Sequence, residues 1–411
     1  MNTKKTFYTV LLIVFTVSCN NVKTDNQFSN VIDIESNIDN MKRVDLSGFS
    51  DNILYVPFDT VDNSNYLLSK PLYDISDDLI VAKGMESSLL IFDRTGRFVV
   101  KFGEIGRGPG EYQSMGNLFF GKNDNVFFSS MTDLFEFSSD GKFIQKYSGV
   151  FLVDNQYFIE NWSFVNDSLI FGHVQNDSGQ SRYKAVLIDK NGRIISYYQN
   201  YDLHETYGSR FFGGGSSITK FNNTLFFKEQ FVDTLFSLGK DNELIPEYTF
   251  KLGNLKVPAT TRSNLLEYFQ KINDYVDVGS IFQTSEYLFL SVNFGKRFTA
   301  TENNTTYCFG IYNKETGEFC FCEPTNTDNP LFTSGLYNDI DGGPRFFPTK
   351  QINDSTMVMT VSAMELKNHI ASEDFKKSNP KFPEKKKQLE KLANSLSKYA
   401  NPVLMVVTFN K

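Results

Sequence analysis

The sequence predicts an all-β fold, a six-bladed β-propeller with two helical insertions at about residues 261–276 and 384–400. Three observations carry this reading. Five hairpins of one form recur along the chain at intervals near 50 residues. The composition, with 41 Phe and 20 Tyr against a single Trp in 411 residues, favours strands. Strand-like segments near both ends of the chain complete a sixth blade.

The N-terminal segment stands outside the propeller. Lys4 and Lys5 precede the apolar run Val10–Val17, and Thr16-Val17-Ser18-Cys19 has the form of a cleavage region. The run is too short to span a bilayer. Residues 1–18 therefore read as a signal peptide. Cys19, placed after small residues, reads as a lipidation site and first mature residue; the same pattern also fits ordinary secretion with an incidental cysteine. Removal of the leader deletes two lysines and no acid, taking the net charge from −7 to about −9. Residues 19–41, rich in Asn, Asp and Ser, read as the acylated cysteine and a flexible tether. Residues 42–411 then form the propeller domain.

The hairpins are FDRTGRFV (92–99), FSSDGKFI (137–144), IDKNGRII (188–195), LGKDNELI (238–245) and YNKETGEF (312–319). In each, an apolar residue leads into a polar turn and a second strand. Gly96, Gly141, Gly192, Asn242 and Gly317 occupy equivalent positions, spaced by 45, 51, 50 and 75 residues. Asn can replace Gly there because it tolerates positive φ better than other side chains. A strand-built period near 50 residues, with four strands in each repeat, implies propeller blades.

The long last interval holds residues 261–276, where Leu265, Leu266, Tyr268, Phe269, Ile272, Tyr275 and Val276 keep helical spacing. A second insertion fills 364–400, with Leu389, Leu392, Ala393, Leu396 and Tyr399 on one helical face and Asn401-Pro402 as its end. The Lys-rich opposite face suits solvent, and could also touch anionic lipid. The sixth blade is expected from Phe346–Ile352, Thr356–Ser362, the terminal Pro402–Phe409 and a strand within Arg43–Phe58, so that both chain ends close one sheet.

Several function classes find no support in the residues. There is no basic face for nucleic acid, no GxSxG or HExxH, and no phosphate loop: Gly106–Gly110 lacks the GK[ST] ending, and Pro109 removes an amide donor. His173, His204 and His369 are far apart in sequence, and Cys308, Cys320 and Cys322 lack zinc spacing, so no metal or cofactor is implied. If Tyr312 pairs with Glu318, Cys308 faces Cys322 and a cross-strand disulfide could form; three buried thiols are the alternative.

The first hairpin followed by GRGPGEY (106–112) resembles the six-bladed β-propeller lipoproteins of bacterial envelopes, akin to NHL-repeat propellers and many known only as domains of unknown function. ILYVPFDT (53–60), LIPEYTFKLGN (244–254), DGGPRFFP (341–348) and NPVLMVVTFNK (401–411) fit the same family. After Pro57 the family more often has Leu-Glu. The resemblance spans about 42–411. It implies the fold and an envelope location, with the outer membrane expected on its periplasmic or surface face, and it carries no catalytic residues to transfer.

These observations suggest an envelope-anchored, non-catalytic binding module for a glycan, a peptide or an envelope protein. A lyase or hydrolase working in the channel, and a structural partner of an outer-membrane assembly, are the alternatives. Candidate binding residues are Arg107, Glu111 and Tyr112 on a stiff loop, Arg345 after a Gly-Gly-Pro turn, and Trp162 within a polar-aromatic run. Each also has a structural role open to it. Gly106–Tyr112 is expected to be a crossover between blades, with Glu111 accepting bonds from loop amides or pairing with Arg107, and Gly108 at a position of positive φ.

Overall fold

The computed structural model describes residues 30–60, 66–68, 70–204, 215–295, 306–324 and 334–410. Six antiparallel sheets are arranged as a six-bladed β-propeller. From inner to outer strand, blade one is Tyr73–Ile75, Leu79–Lys83, Leu89–Asp93 and Phe98–Phe102. Blade two is Leu118–Phe120, Val126–Ser130, Asp133–Phe137 and Phe143–Tyr147. Blade three uses Tyr157–Phe164, Leu169–Val174, Tyr183–Asp189 and Ile194–Gln199. Blade four uses Ser216–Phe221, Thr224–Glu229, Thr234–Leu238 and Leu244–Lys251, and blade five Asp277–Gln283, Tyr287–Asn293, Tyr307–Asn313 and Phe319–Cys322. Blade six closes the ring with Lys350–Gln351, Thr356–Val361, the C-terminal Val403–Thr408 and the N-terminal Asn52–Pro57. The expected closure by both ends is what the register shows, with Val403 opposite Pro57 and Thr408 opposite Asn52.

The repeated turns explain why the hairpins form where they do. Gly96, Gly141, Gly192, Asn242 and Gly317 all have positive φ, between 60° and 90°. At the first turn the Asp93 carboxylate accepts from the amides of Thr95 and Arg97. Asp189 does the same for Asn191 and Arg193. Side-chain acceptor and left-handed residue together specify the reversal locally.

The core lies in the seams between blades. Six apolar clusters each join residues of two neighbouring blades. One of them sets Val358 and Leu404 of blade six against Ile80 and Phe92 of blade one, completing the circle. Aromatic contacts fill these seams, as in the stack of Phe289 on Phe309.

Four expectations change. First, residues 31–42 are not wholly tether: Val31–Asp33 adds a parallel strand to the outer edge of blade four, and Met41–Lys42 to that of blade five. The part of the expected tether before residue 30, the leader and Cys19 lie outside the described residues. Second, the 261–276 helix is broken into Ala259–Arg262, Leu265–Lys271 and a 3-10 turn at Ile272–Asp274. Asn264 is the reason. Its side chain caps the amides of Leu266 and Glu267 and so begins a new helix.

Third, the late helix runs Pro383–Ser395, after Ala363–Ala371 and Glu373–Lys377. Leu389 and Ala393 are buried, but Tyr399 is exposed beyond the helix end. Lys367 Nζ donates to the carbonyls of Ala393 and Leu396, satisfying that end early. Fourth, Tyr312 pairs with Phe319, not Glu318, because Asn313 N bonds to Glu318 O. The one-residue difference puts Cys308 in the seam with blade four and Cys322 in the seam with blade six. All three cysteines are buried free thiols.

Candidate functional site

Strand direction gives the propeller two unlike faces. The turns joining first to second and third to fourth strands fall on one face and are short. Crossovers and the connections between second and third strands fall on the other. That loop-rich face receives both helical insertions, 259–274 and 363–395, and the described ends of three further connections, at 200–204, 294–295 and 334–349. Long connections on a rigid scaffold are where binding residues concentrate.

A channel of about 880 Å³ runs down the axis, lined by inner strands of all six blades. Its wall mixes neutral polar groups with aromatic and aliphatic surface and a few charged side chains. Asn117 Nδ2 donates to Asn161 Oδ1 at 2.5 Å, and Asn161 Nδ2 donates to Ser216 O at 2.9 Å, linking blades two, three and four across the wall. Ser217, Ser280 and Gln351 continue it, with Phe119 and Phe347 as apolar surface. Asp74 and Lys350 also reach the channel and pair at 2.6 Å.

Next to this channel, at its loop-rich mouth, lies a cavity of about 210 Å³ that shares Ser216, Ser217, Ser280, Ser291 and Tyr307 with it. Lys228 and Asp277 line it, 2% and 6% exposed. Lys228 is the penultimate residue of the second strand of blade four and Asp277 begins the first strand of blade five, so the strand ends bring them to one mouth. The Lys228 amine donates to Glu229 O at 3.0 Å, and among the described residues no carboxylate pairs with it. Burial lowers its pKa. Asp277 accepts from Phe231 N at 3.1 Å, and burial raises its pKa against the opposing field of Lys228.

Beside the cavity, a buried charged group clasps blades three and four. His173 Nδ1 lies 2.9 Å from Glu160 Oε1, and its Nε2 lies 3.6 Å from Glu229 Oε1. Lys184 also pairs with Glu229. Burial alone would lower the His173 pKa, but the two carboxylates outweigh it and the imidazolium is favoured. Burial likewise opposes ionisation of Glu229, yet His173 and Lys184 bring its pKa down to about 2. The contact angles around the imidazole are poor for hydrogen bonds, so the clasp is chiefly electrostatic.

The candidate residues named from the sequence separate into rim and core. Gly106–Tyr112 does cross from the outer strand of blade one to the inner strand of blade two. Arg107 is exposed on it, and Glu111 Oε2 accepts from Gly108 N at 2.7 Å. Arg107 makes no ion pair with Glu111, and the positive φ falls at Gly110, not Gly108. Tyr112 is a core residue, packed on Phe128 and Phe135, its hydroxyl donating to Ser87 O at 2.6 Å. Trp162 is also core, stacked on Phe151 with Phe119 and Phe164 at its other sides.

Arg345 donates to Glu323 O at 2.9 Å and lines a separate cavity of about 440 Å³ between its Gly-Gly-Pro turn and the late helices. Glu365, His369 and Phe375 complete that cavity. The three histidines do not meet: His204 pairs with Asp202, and His369 Nε2 lies 2.8 Å from Gly342 O. Sequence reading missed Glu160, Lys184, Lys228, Glu229 and Asp277. For Lys228 and Glu229 the one local signal is charge at the end of an otherwise apolar strand, TLFFKE (224–229).

Comparison with known proteins supports the fold. A crystal structure of a protein from Bacteroides fragilis, named as a presumed exported protein, is 16% identical, covers 93% of this chain and 100% of its own, and has a TM-score of 0.67. A member of the DUF4221 family from Bacteroides vulgatus is 13% identical over 88% of this chain and 97% of its own, with a TM-score of 0.53. No curated protein matches. The repeated blades, the crossover and the two-ended closure all lie within residues 29–408, the stretch matched by the family described as Domain of unknown function (DUF4934), and the chain belongs to that family.

Proposed function

We propose that this chain is an envelope-anchored binding module that takes its ligand at the loop-rich mouth of the propeller channel. The observation that carries the reading is the asymmetry of the two faces: both helical insertions lie on the side of one mouth of an open channel that mixes polar and aromatic surface. The N-terminal leader pattern and Cys19 support secretion and lipid anchoring. A rigid ring of six blades presents the site with little conformational cost on binding.

The test is an array of glycans and peptides probed with the purified chain and two variants. Ser280→Trp fills the mouth shared by both cavities, whereas Lys142→Ala changes an exposed turn on the opposite face. Binding lost in the first variant and kept in the second supports the reading. Binding that survives Ser280→Trp overturns it. A second reading, docking into an outer-membrane assembly, is favoured by Leu266 and Phe269, 68% and 62% exposed on the helix at the rim. Leu266→Asp together with Phe269→Asp would then abolish partner capture while leaving array binding intact.

A further inference from the structure

We infer that the Lys228–Asp277 cavity and the channel beside it recognise an uncharged carbohydrate, with a sugar ring held between the Lys228 amine and the Asp277 carboxylate. The inference rests on the binding reading and names the ligand class for that site. Three observations lead to it.

The first is incomplete hydrogen bonding. An ammonium carries three donors, and Lys228, almost wholly buried, spends one on the Glu229 carbonyl. Lysine is rarely this buried without a paired carboxylate. Asp277 accepts from the Phe231 amide and from the Gln230 side chain, and a carboxylate with about four lone-pair sites keeps acceptor capacity in the cavity it lines. A group offering an acceptor to one residue and a donor to the other completes both. A sugar hydroxyl does each of these things.

The second is charge balance. Lys228 and Asp277 offset one another at the cavity, and nearby Glu229 is already met by Lys184 and His173, and Asp233 by Lys256. In the channel Asp74 is paired with Lys350, whereas Lys220 lines the wall with no carboxylate paired to it among the described residues. A ligand bringing net charge between Lys228 and Asp277 would lose hydration against two charges that already offset one another. A neutral polar ligand avoids that cost.

The third is the character of the wall between the charged groups. Asn117, Asn161, Ser216, Ser217, Ser280 and Ser291 supply amides and hydroxyls, and Phe119 and Phe347 supply ring surface for the apolar face of a pyranose. The channel volume lies in the range of sites that bury a ligand of several rings.

The experiment is calorimetric titration of the purified full chain with maltohexaose, cellohexaose, xylohexaose and chitohexaose, beside oligogalacturonate and tri-alanine. At least one neutral oligosaccharide should bind. Lys228→Met and Asp277→Asn should each weaken that binding at least tenfold, while Lys142→Ala leaves it unchanged. Thermal melts of the variants separate loss of binding from loss of fold, and a folded Ser280→Trp variant gives an independent block. Binding of none of the neutral sugars, binding of only the acidic oligomer or the peptide, or sugar binding indifferent to Lys228→Met and Asp277→Asn overturns the inference. Peptide binding that is lost in Ser280→Trp would sink the carbohydrate assignment alone and leave the binding reading standing.

Discussion

The Glu111 carboxylate occupies the space that a side chain on Gly106 would need. A Cβ on Gly106 would stand 2.0 Å from Glu111 Oε2, and the same oxygen accepts from Gly108 N at 2.7 Å. The loop is therefore folded around an internal acid. Gly106→Ala should destabilise the protein by about 1–3 kcal/mol through overpacking. Glu111→Gln should cost about 1 kcal/mol by weakening a charge-assisted bond. Both are read as lowered midpoints in denaturant melts. A full-strength ligand interaction lost in Glu111→Gln with an unchanged midpoint would instead make the loop a recognition element.

The clasp between blades three and four should give stability a two-sided pH dependence. Glu229 is depressed from 4.5 to about 2, so its contribution is present above 4.5 and lost as pH falls through 2. That shift corresponds to on the order of 3 kcal/mol. His173 is raised above 6.5, so its contribution is present below 6.5 and lost as pH rises through the raised value. The clasp is strongest between about 4.5 and 6.5. Melts across pH should show Glu229→Gln flattening the acid limb and His173→Asn flattening the alkaline limb.

Trp162 should matter for folding and not for recognition. Trp162→Ala removes a ring packed among Phe119, Phe151 and Phe164 and should cost about 3–5 kcal/mol. Trp162→Phe should cost less than about 2 kcal/mol, because the buried indole nitrogen has no hydrogen-bond partner to lose. Ligand affinity per folded molecule should be the same in wild type and Trp162→Phe, measured by titration at matched folded fraction.

The anchor can be checked independently of the propeller. Cys19→Ala should move the protein from the membrane pellet to the soluble fraction after cell fractionation. Retention in the pellet would show that acylation is not what holds it there, and would direct attention to the Lys-rich face of Pro383–Ser395.

Blade architecture was legible because its signals are local. A residue suited to positive φ marks each reversal, with a side-chain acceptor (Asp93, Ser138, Asp189 or Asn313) leading four of the five, and every such turn stands where the residues place it. The two-ended sixth blade was legible from continuous apolar runs. The Cys308–Cys322 arrangement was misread by one position, because the exact length of the Asn313–Glu318 turn decides which face each thiol takes. Tyr112 and Trp162 looked like binding residues because aromatic polarity in sequence does not reveal a seam. The Lys228–Asp277 mouth was hidden for a related reason: its members lie 49 positions apart on different blades, and only the radial arrangement brings them together.

The way the N-terminal segment lies along the rim also has a mechanical meaning. The joint between Asn52–Pro57 and Val403–Thr408 is the latch of the ring, and opening it would release blade six. On the N-terminal side of that latch lie two short parallel attachments, Val31–Asp33 on blade four and Met41–Lys42 on blade five. A pull on the N-terminal end must peel these away in turn before it loads the latch. The chain thus carries two expendable stitches ahead of the seam that closes it, and the propeller can give up length under tension while its ring stays closed.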